Sequence, residues 1–195
     1  MTQYETLKKD LVLGLKDFEI TAPTAAVLSG KLLQFTSGAI YTEDGGWAQT
    51  SNAKLEFLES LLEGSNTPTL IFYHFKHSLE RILLLFPQAQ VLSDDNMQAW
   101  RDGEVPIMLA HPQSGGIGLN LQCNAGDLAQ TVWYDLPWSS ENYVQANARI
   151  YRQGQTKPVI IHHLTVEKSI DIQAVKVLEG KINRQEALLD ALNLH

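Results

Sequence analysis

Residues 69–85 read TLIFYHFKHSLERILLL, and the fold class follows from them. Leu70-Ile71-Phe72-Tyr73 is a short, continuous apolar run, whereas from Lys76 to Leu85 the apolar residues recur at helical spacing. A strand apolar at consecutive positions needs cover on both faces, which is the habit of a parallel sheet. A helix directly after the strand supplies one of the covers.

The same alternation continues toward the C-terminus. Gln90-Val91-Leu92, Val105–Ala110, Thr131–Tyr134 and Val159-Ile160-Ile161 are further strand candidates. Between them, helices are expected over Asp94–Trp100, with Ser93 as N-cap, and from about Glu141 to Tyr151. A glycine-rich loop and a short helix follow Ala110, and one long helix is expected from about Ser169 to Leu192. Strands alternating with helices predict an α/β domain with a central parallel sheet in three layers.

Toward the N-terminus the pattern is helical. Leu7, Leu11, Leu15 and Phe18 share a spacing of three and four, and Pro23 breaks it. A second helix is expected over Thr24–Phe35 with Val27, Leu28, Leu32 and Leu33 inward, and a third after Ser51 with Leu55, Leu58, Leu61 and Leu62 inward. Gly38 and Glu43–Gly46 read as loop between them. The expected organisation is a helical extension at residues 1–65 packing on a lobe at 66–195. In the final helix, Ile170, Ala174, Val177, Leu178 and Ile182 would dock on the lobe, while Leu188, Leu189 and Leu192 would project toward another lobe or chain.

The net charge of −7 over 195 residues argues against an autonomous nucleic-acid binder, which needs Lys and Arg for phosphates. One wall of a shared cleft remains compatible with it. The single cysteine, Cys123, allows no internal disulfide and suits a reducing cytoplasm. The opening residues lack the basic and apolar blocks of a signal peptide, and no apolar run approaches the ~20 residues of a membrane span, so no membrane role is expected.

Ligands of parallel sheets sit beyond the C-terminal ends of the strands. The loop after Ala110 reads His111-Pro112-Gln113-Ser114-Gly115-Gly116-Ile117-Gly118-Leu119-Asn120-Leu121. Its glycines allow a backbone to approach an anion closely, although a plain tight turn explains a glycine triplet equally well. Gln145, Arg149 and Arg152 are spaced i, i+4, i+7, which places two guanidiniums and an amide on one helical stripe. A solvated polar face is the simpler reading of that spacing alone. Val144, Ala148 and Tyr151 form a separate stripe suited to packing on the sheet. The glycine turn and the arginine helix begin at strand ends one strand apart, a geometry that suits a phosphate between them. Ser29-Gly30-Lys31-Leu32 imitates a phosphate-binding loop, but Ala25 and Leu32 stand where that motif needs Gly and Ser or Thr. Lys31 is therefore read as a solvated helix residue.

These segments resemble a known family. Gly115–Leu121 is similar to motif V, and Gln145–Gln155 to motif VI, of Swi/Snf-type members of helicase superfamily two. Trp133-Tyr134-Asp135-Leu136-Pro137-Trp138 resembles the family's strand ending in aspartate, and Thr69–Phe75 resembles motif IV with an unusual Tyr73-His74-Phe75 ending. The wording His111-Pro112-Gln113 looks like phage or prophage members. The resemblance spans roughly residues 53–180 and implies the second, C-terminal RecA-like lobe of a P-loop NTPase-type ATPase. It implies that Arg149 and Arg152 act as arginine fingers on the ATP γ-phosphate, with Gln145 in the same network. Gly116, Gly118 and Asn120 would approach ribose and phosphates. His74, Lys76, His111 and Gln113 would face the backbone of double-stranded DNA, and Asp135 would orient its turn and the arginine helix. The P-loop lysine and the Asp-Glu pair belong to the first lobe, so ATP and Mg²⁺ are expected only in the assembled two-lobe enzyme, and this chain is expected to be inactive alone. A non-catalytic DNA- or protein-interaction module is the alternative.

Other residues carry weaker signals. His74 and His77 have a metal-like spacing without a further ligand, so no metal is expected. His162 and His163 are neighbours on a strand and face opposite ways. Trp133 and Trp138 are expected to pack at the sheet end.

Overall fold

A computed structural model describes residues 3–13, 22–113, 120–123, 125, 128–151 and 157–192. The chain forms two compact units, Leu55–Leu164 on one hand and Met1–Lys54 with Thr165–His195 on the other.

The first unit holds a five-stranded parallel sheet. Helix α3 (Ala53–Leu62) leads into β3 (Thr69–Phe72), then α4 (Lys76–Leu85), β4 (Gln90–Val91), α5 (Met97–Asp102), β5 (Ile107–Ala110), β6 (Ala129–Trp133), α6 (Ser140–Ala148) and β7 (Val159–His163). The spatial order is β4-β5-β3-β6-β7, with every pairing parallel. All four residues of β3 and of β5 are buried, as continuous apolar strands require. Leu58 of α3 and Ile82 of α4 close over Ile71, Leu109, Val132 and Tyr134 to form the core. Phe72 is level with Ala110 on one side and Trp133 on the other, so three turns leave the sheet together at one edge.

Ser93 carries the capping box expected of an N-cap, exchanging bonds with Asn96. The helix it opens starts as a 3₁₀ turn over Asp94–Asn96 before becoming α5. Gly103 ends α5 in the left-handed region, with φ of 79°. A Cβ there would lie 2.1 Å from that of Ala125, so glycine is required twice over.

The second unit contains α1 (Gln3–Leu13), α2 (Ala22–Thr36), the hairpin β1 (Ala39–Tyr41) and β2 (Trp47–Gln49), α7 (Ile170–Leu178) and α8 (Arg184–Leu192). The hairpin replaces the loop expected around Gly38. Its strands are three residues each, too short for alternation to show in sequence. Leu28, Leu32 and Leu33 are buried as expected, but Val27 is 66% exposed. Lys31 lies inside α2, where its ammonium donates to the Tyr41 carbonyl at 3.1 Å rather than standing free in water. The buried Asp171 carboxylate ties the unit together through Lys54 at 2.9 Å, the Thr36 hydroxyl at 2.8 Å and the Val166 amide at 2.9 Å.

The single long terminal helix is corrected to two. Gly180, at φ of 70°, breaks it after α7. Helix α8 then folds back on α2 and α7 and buries Ala187, Leu188 and Ala191, so Leu188 does not project. This return places residues 165–192 with the N-terminal segment.

Candidate nucleotide and nucleic-acid edge

The turns after β3, β5 and β6 define the candidate site. Asp135, two residues past β6, is 1% exposed, and its carboxylate is used from both sides. Oδ2 accepts from the amides of His74 at 2.8 Å and Phe75 at 3.2 Å, and Oδ1 accepts from the Ser78 hydroxyl at 3.1 Å. One buried anion thereby fixes the β3–α4 turn, where α4 has no side-chain cap of its own.

That turn presents His74. Its ring stacks on His111 of the β5 loop, with centroids 5.2 Å apart and planes at 25°, and Tyr73 meets His111 edge-on at 5.9 Å. The Gln113 amide donates to His111 Nδ1 at 3.2 Å. Burial, and secondarily the neighbouring His74, push the His111 pKa below the ordinary histidine value, so its ring is neutral at neutral pH. Three of the four residues expected to face nucleic acid are therefore brought together. Lys76 stands exposed at the start of α4, in the same turn as His74.

The expected nucleotide-facing residues fall differently. Gly116, Gly118 and Arg152 lie outside the described residues. Asn120 turns its side chain on its own segment, Oδ1 accepting from the Gln122 amide at 3.0 Å. Its carbonyl accepts from Arg101 at 3.3–3.4 Å. The next residue is held from two elements: the Leu121 carbonyl accepts from Trp100 Nε1 at 3.0 Å, and its amide donates to the Arg149 carbonyl at 3.0 Å. The segment after the glycine loop is thus bonded to the arginine turn itself.

Helix α6 opens with Ser139, whose hydroxyl accepts from the Asn142 amide, and ends at Ala148 with Arg149 as its half-buried C-cap. The expected continuation to Tyr151 is corrected: Arg149 and Ile150 form a tighter turn, bonding back to the Ala146 and Asn147 carbonyls. Gln145 is exposed and donates to Glu141 at 3.0 Å. The stripe expected to pack on the sheet is also corrected. Ala146 and Ile150 are buried and Tyr143 packs on Trp133, whereas Val144 and Tyr151 are exposed. Trp133 is fully buried, stacks on Phe72 at 4.4 Å and donates to Asn147 at 3.2 Å, and the Tyr143 hydroxyl bonds His163 at 3.0 Å.

Trp100 and Arg101, together with Asn147 and Ser78 inside the motif segments, support the edge through contacts that no motif describes. Their partners are 14 to 57 residues away, and no local spacing encodes such contacts. The carboxylate bonds of Asp135 run to the β3–α4 turn rather than to its own turn or the arginine helix, which it was expected to orient. The arginine turn is instead held through Leu121. Among the described residues, no group of three His, Cys, Asp or Glu side chains could hold a metal ion.

No family model matches the chain. It is 36% identical over 198 residues to protein p41 of the Acyrthosiphon pisum secondary endosymbiont phage 1, a match covering 97% of this chain and 42% of that protein. It is 33% identical over 97 residues to the human lymphoid-specific helicase, covering 49% of this chain and 11% of that protein. The chain thus spans less than half the length of these relatives. In fold it is similar to the C-terminal part of the Fun30 ATPase domain, with a TM-score of 0.54 and 20% identity, covering 98% of this chain and 63% of that one. The chain is thus a homologue of the Swi/Snf-type helicases with the RecA-like fold of their C-terminal ATPase lobe.

Proposed function

We propose that this chain is the second lobe of an ATP-dependent DNA translocase or helicase, supplying arginine fingers and part of the DNA-binding surface to a first lobe that holds most of the nucleotide. The observation that carries the reading is the bond from Leu121 to the Arg149 carbonyl, which joins the glycine-loop segment to the arginine turn at one sheet edge. A guanidinium stays charged at any working pH and grips phosphate with a planar fork. Arg149, held as a half-buried C-cap, suits a γ-phosphate contact, and Arg152 follows from the same motif. ATP and Mg²⁺ would be bound chiefly by the first lobe. When bound there, they supply the transferring phosphoryl group and its charge neutralisation. This chain's part is to place positive charge and to exclude water.

The DNA-facing part is the cluster of His74, His111, Gln113 and Lys76, which occupies the same edge. With one exposed lysine and neutral His111, it suits backbone positioning of duplex DNA rather than high affinity.

The test joins this chain to the first lobe of a Swi/Snf-type relative and measures ATP turnover with and without duplex DNA. The expected result is DNA-stimulated turnover that falls by roughly 10³-fold in Arg152→Ala, with no turnover by the 195-residue chain alone. Turnover indifferent to both arginines would defeat the reading and favour a binding module without catalysis.

A further inference from the structure

We propose that His111 is a positioning residue: it clasps the β5 loop to the β3–α4 turn and holds the His74 ring out toward a backbone phosphate of duplex DNA, without touching the nucleic acid itself. This inference rests on the DNA-facing reading above and divides the work within that cluster. Phe72 and Ala110 are level in the sheet, so the turn and the loop leave it side by side. His111 is half-buried between them. Its Nδ1 accepts from the Gln113 amide at 3.2 Å, closing the loop on itself two residues on, as an asparagine closes a turn. The ring is also hydrogen-bonded to the main chain of His74. A neutral ring that accepts at Nδ1 has Nε2 as its only donor, so that second bond engages Nε2. Burial and the neighbouring His74 favour this neutral form, against the pull of the Asp135 carboxylate. A protonated ring would set an Nδ1–H against the Gln113 N–H, so the clasp needs the neutral one. With both nitrogens engaged inside the protein, the ring has no polar atom left for a ligand.

His74 is held in the opposite way. Its amide is taken by Asp135 at 2.8 Å, Phe75 meets its ring edge-on at 5.0 Å, and His111 covers one face at 5.2 Å. The ring is exposed, and neither of its nitrogens has a partner among the described residues. The exposed Lys76 ammonium belongs to the same turn. A ring fixed on two sides, with a nitrogen to offer and a cation nearby, suits a phosphate oxygen, a contact that positions a duplex without reading its sequence. Tyr73, edge-on to His111 at 5.9 Å, backs the clasp from the strand end. His111 thus acts through His74.

The test measures binding of a fluorescently labelled DNA duplex to the two-lobe fusion. His74→Ala is expected to weaken binding about tenfold, the loss of one hydrogen bond to a charged group. His111→Ala should weaken it by a similar factor, and the double variant should bind no more weakly than His74→Ala, because a residue that acts only through its neighbour adds nothing once the neighbour is gone. Losses that multiply in the double variant would overturn the proposal, since His111 would then meet the DNA itself or serve the fold at large. Binding indifferent to His74→Ala would overturn it as well. Long-range ¹H–¹⁵N spectra of the 195-residue chain supply a readout that needs no DNA. At neutral pH they should show the His111 proton on Nε2, and the His74 ring resonances should move in His111→Ala. A proton on Nδ1, or His74 resonances unmoved by His111→Ala, would remove the clasp. A folded fusion that binds no duplex would defeat both the proposal and the DNA-facing reading beneath it, whereas multiplying losses would strike the clasp alone and leave that reading standing.

Discussion

Asp135 and Asp171 are both buried carboxylates at the ends of structural elements, and they are held in opposite ways. Asp171 faces a buried ammonium, Lys54, at 2.9 Å and adds a hydroxyl and an amide. Asp135 is held by two backbone amides and a serine hydroxyl, and those amides belong to the turn that presents His74. Opposite charge secures the unit made by the chain ends, where packing is what matters. Peptide dipoles secure the sheet edge, where the backbone path of a turn is what matters. A carboxylate that accepts from consecutive amides dictates that path, which an ion pair between side chains does not.

The largest effect is expected where the comparison is broken on the ion-pair side. Lys54→Met leaves Asp171 buried without its cation, and removal of one partner from a buried pair costs about 3–5 kcal/mol. Urea denaturation of the chain should show the shift, and a change below about 1 kcal/mol would mean that the amide and hydroxyl suffice for Asp171. Next, Asp135→Ala orphans the buried Ser78 hydroxyl, at about 1–3 kcal/mol, and releases two part-buried amides that water can reach. A distinct readout sharpens this case: the His74 and His111 ring resonances should move in Asp135→Ala and stay in place in Lys54→Met. If both substitutions left the rings alone, Asp135 would be a plain structural anion like Asp171.

Acid should separate the two regions further. Burial lowers the His77 pKa to about 4, and the nearby Asp135 carboxylate only partly opposes this. The unfolded chain takes up that proton near pH ~6.5 and the folded chain only near 4. The contribution of His77 to stability is therefore complete above about pH 6.5 and is lost progressively as pH falls toward 4. Stability of the sheet unit should decline across that window, and His77→Phe should flatten the decline. The smallest effect belongs to the cap of α5: Ser93→Ala removes one half of its box, for about 1 kcal/mol. A measured cost near that of Asp135→Ala would mean that edge and periphery of the sheet unit are equally cooperative.

Legibility followed the range of the interactions. The run Thr69–Phe72 and the capping residue Ser93 were readable because period and cap chemistry act within a few residues. The terminal break at Gly180 was not, since one glycine within an apolar period costs too little to announce itself. Val144, Ala148 and Tyr151 have the spacing of a core-facing stripe. Their exposure reflects the stronger claim of Ala146 and Ile150 on the sheet. In the candidate site, His74, His111 and Gln113 lie together, and Trp100, Arg101 and Ser78 enter through bonds to partners 19 to 57 residues away in sequence.

Residue order alone established a buried parallel sheet, an N-terminal helical segment, a glycine-rich loop and an arginine pair, in a sequence that resembles the second lobe of Swi/Snf-type helicases. Periodicity and motif spacing are local properties, carried by the chain wherever it goes. Which carboxylate holds which turn, which stripe of α6 meets the sheet, and that residues 165–192 return to the N-terminal segment were settled in three dimensions. Each of these depends on competition between distant partners for the same surface, and nothing within a few residues records its outcome.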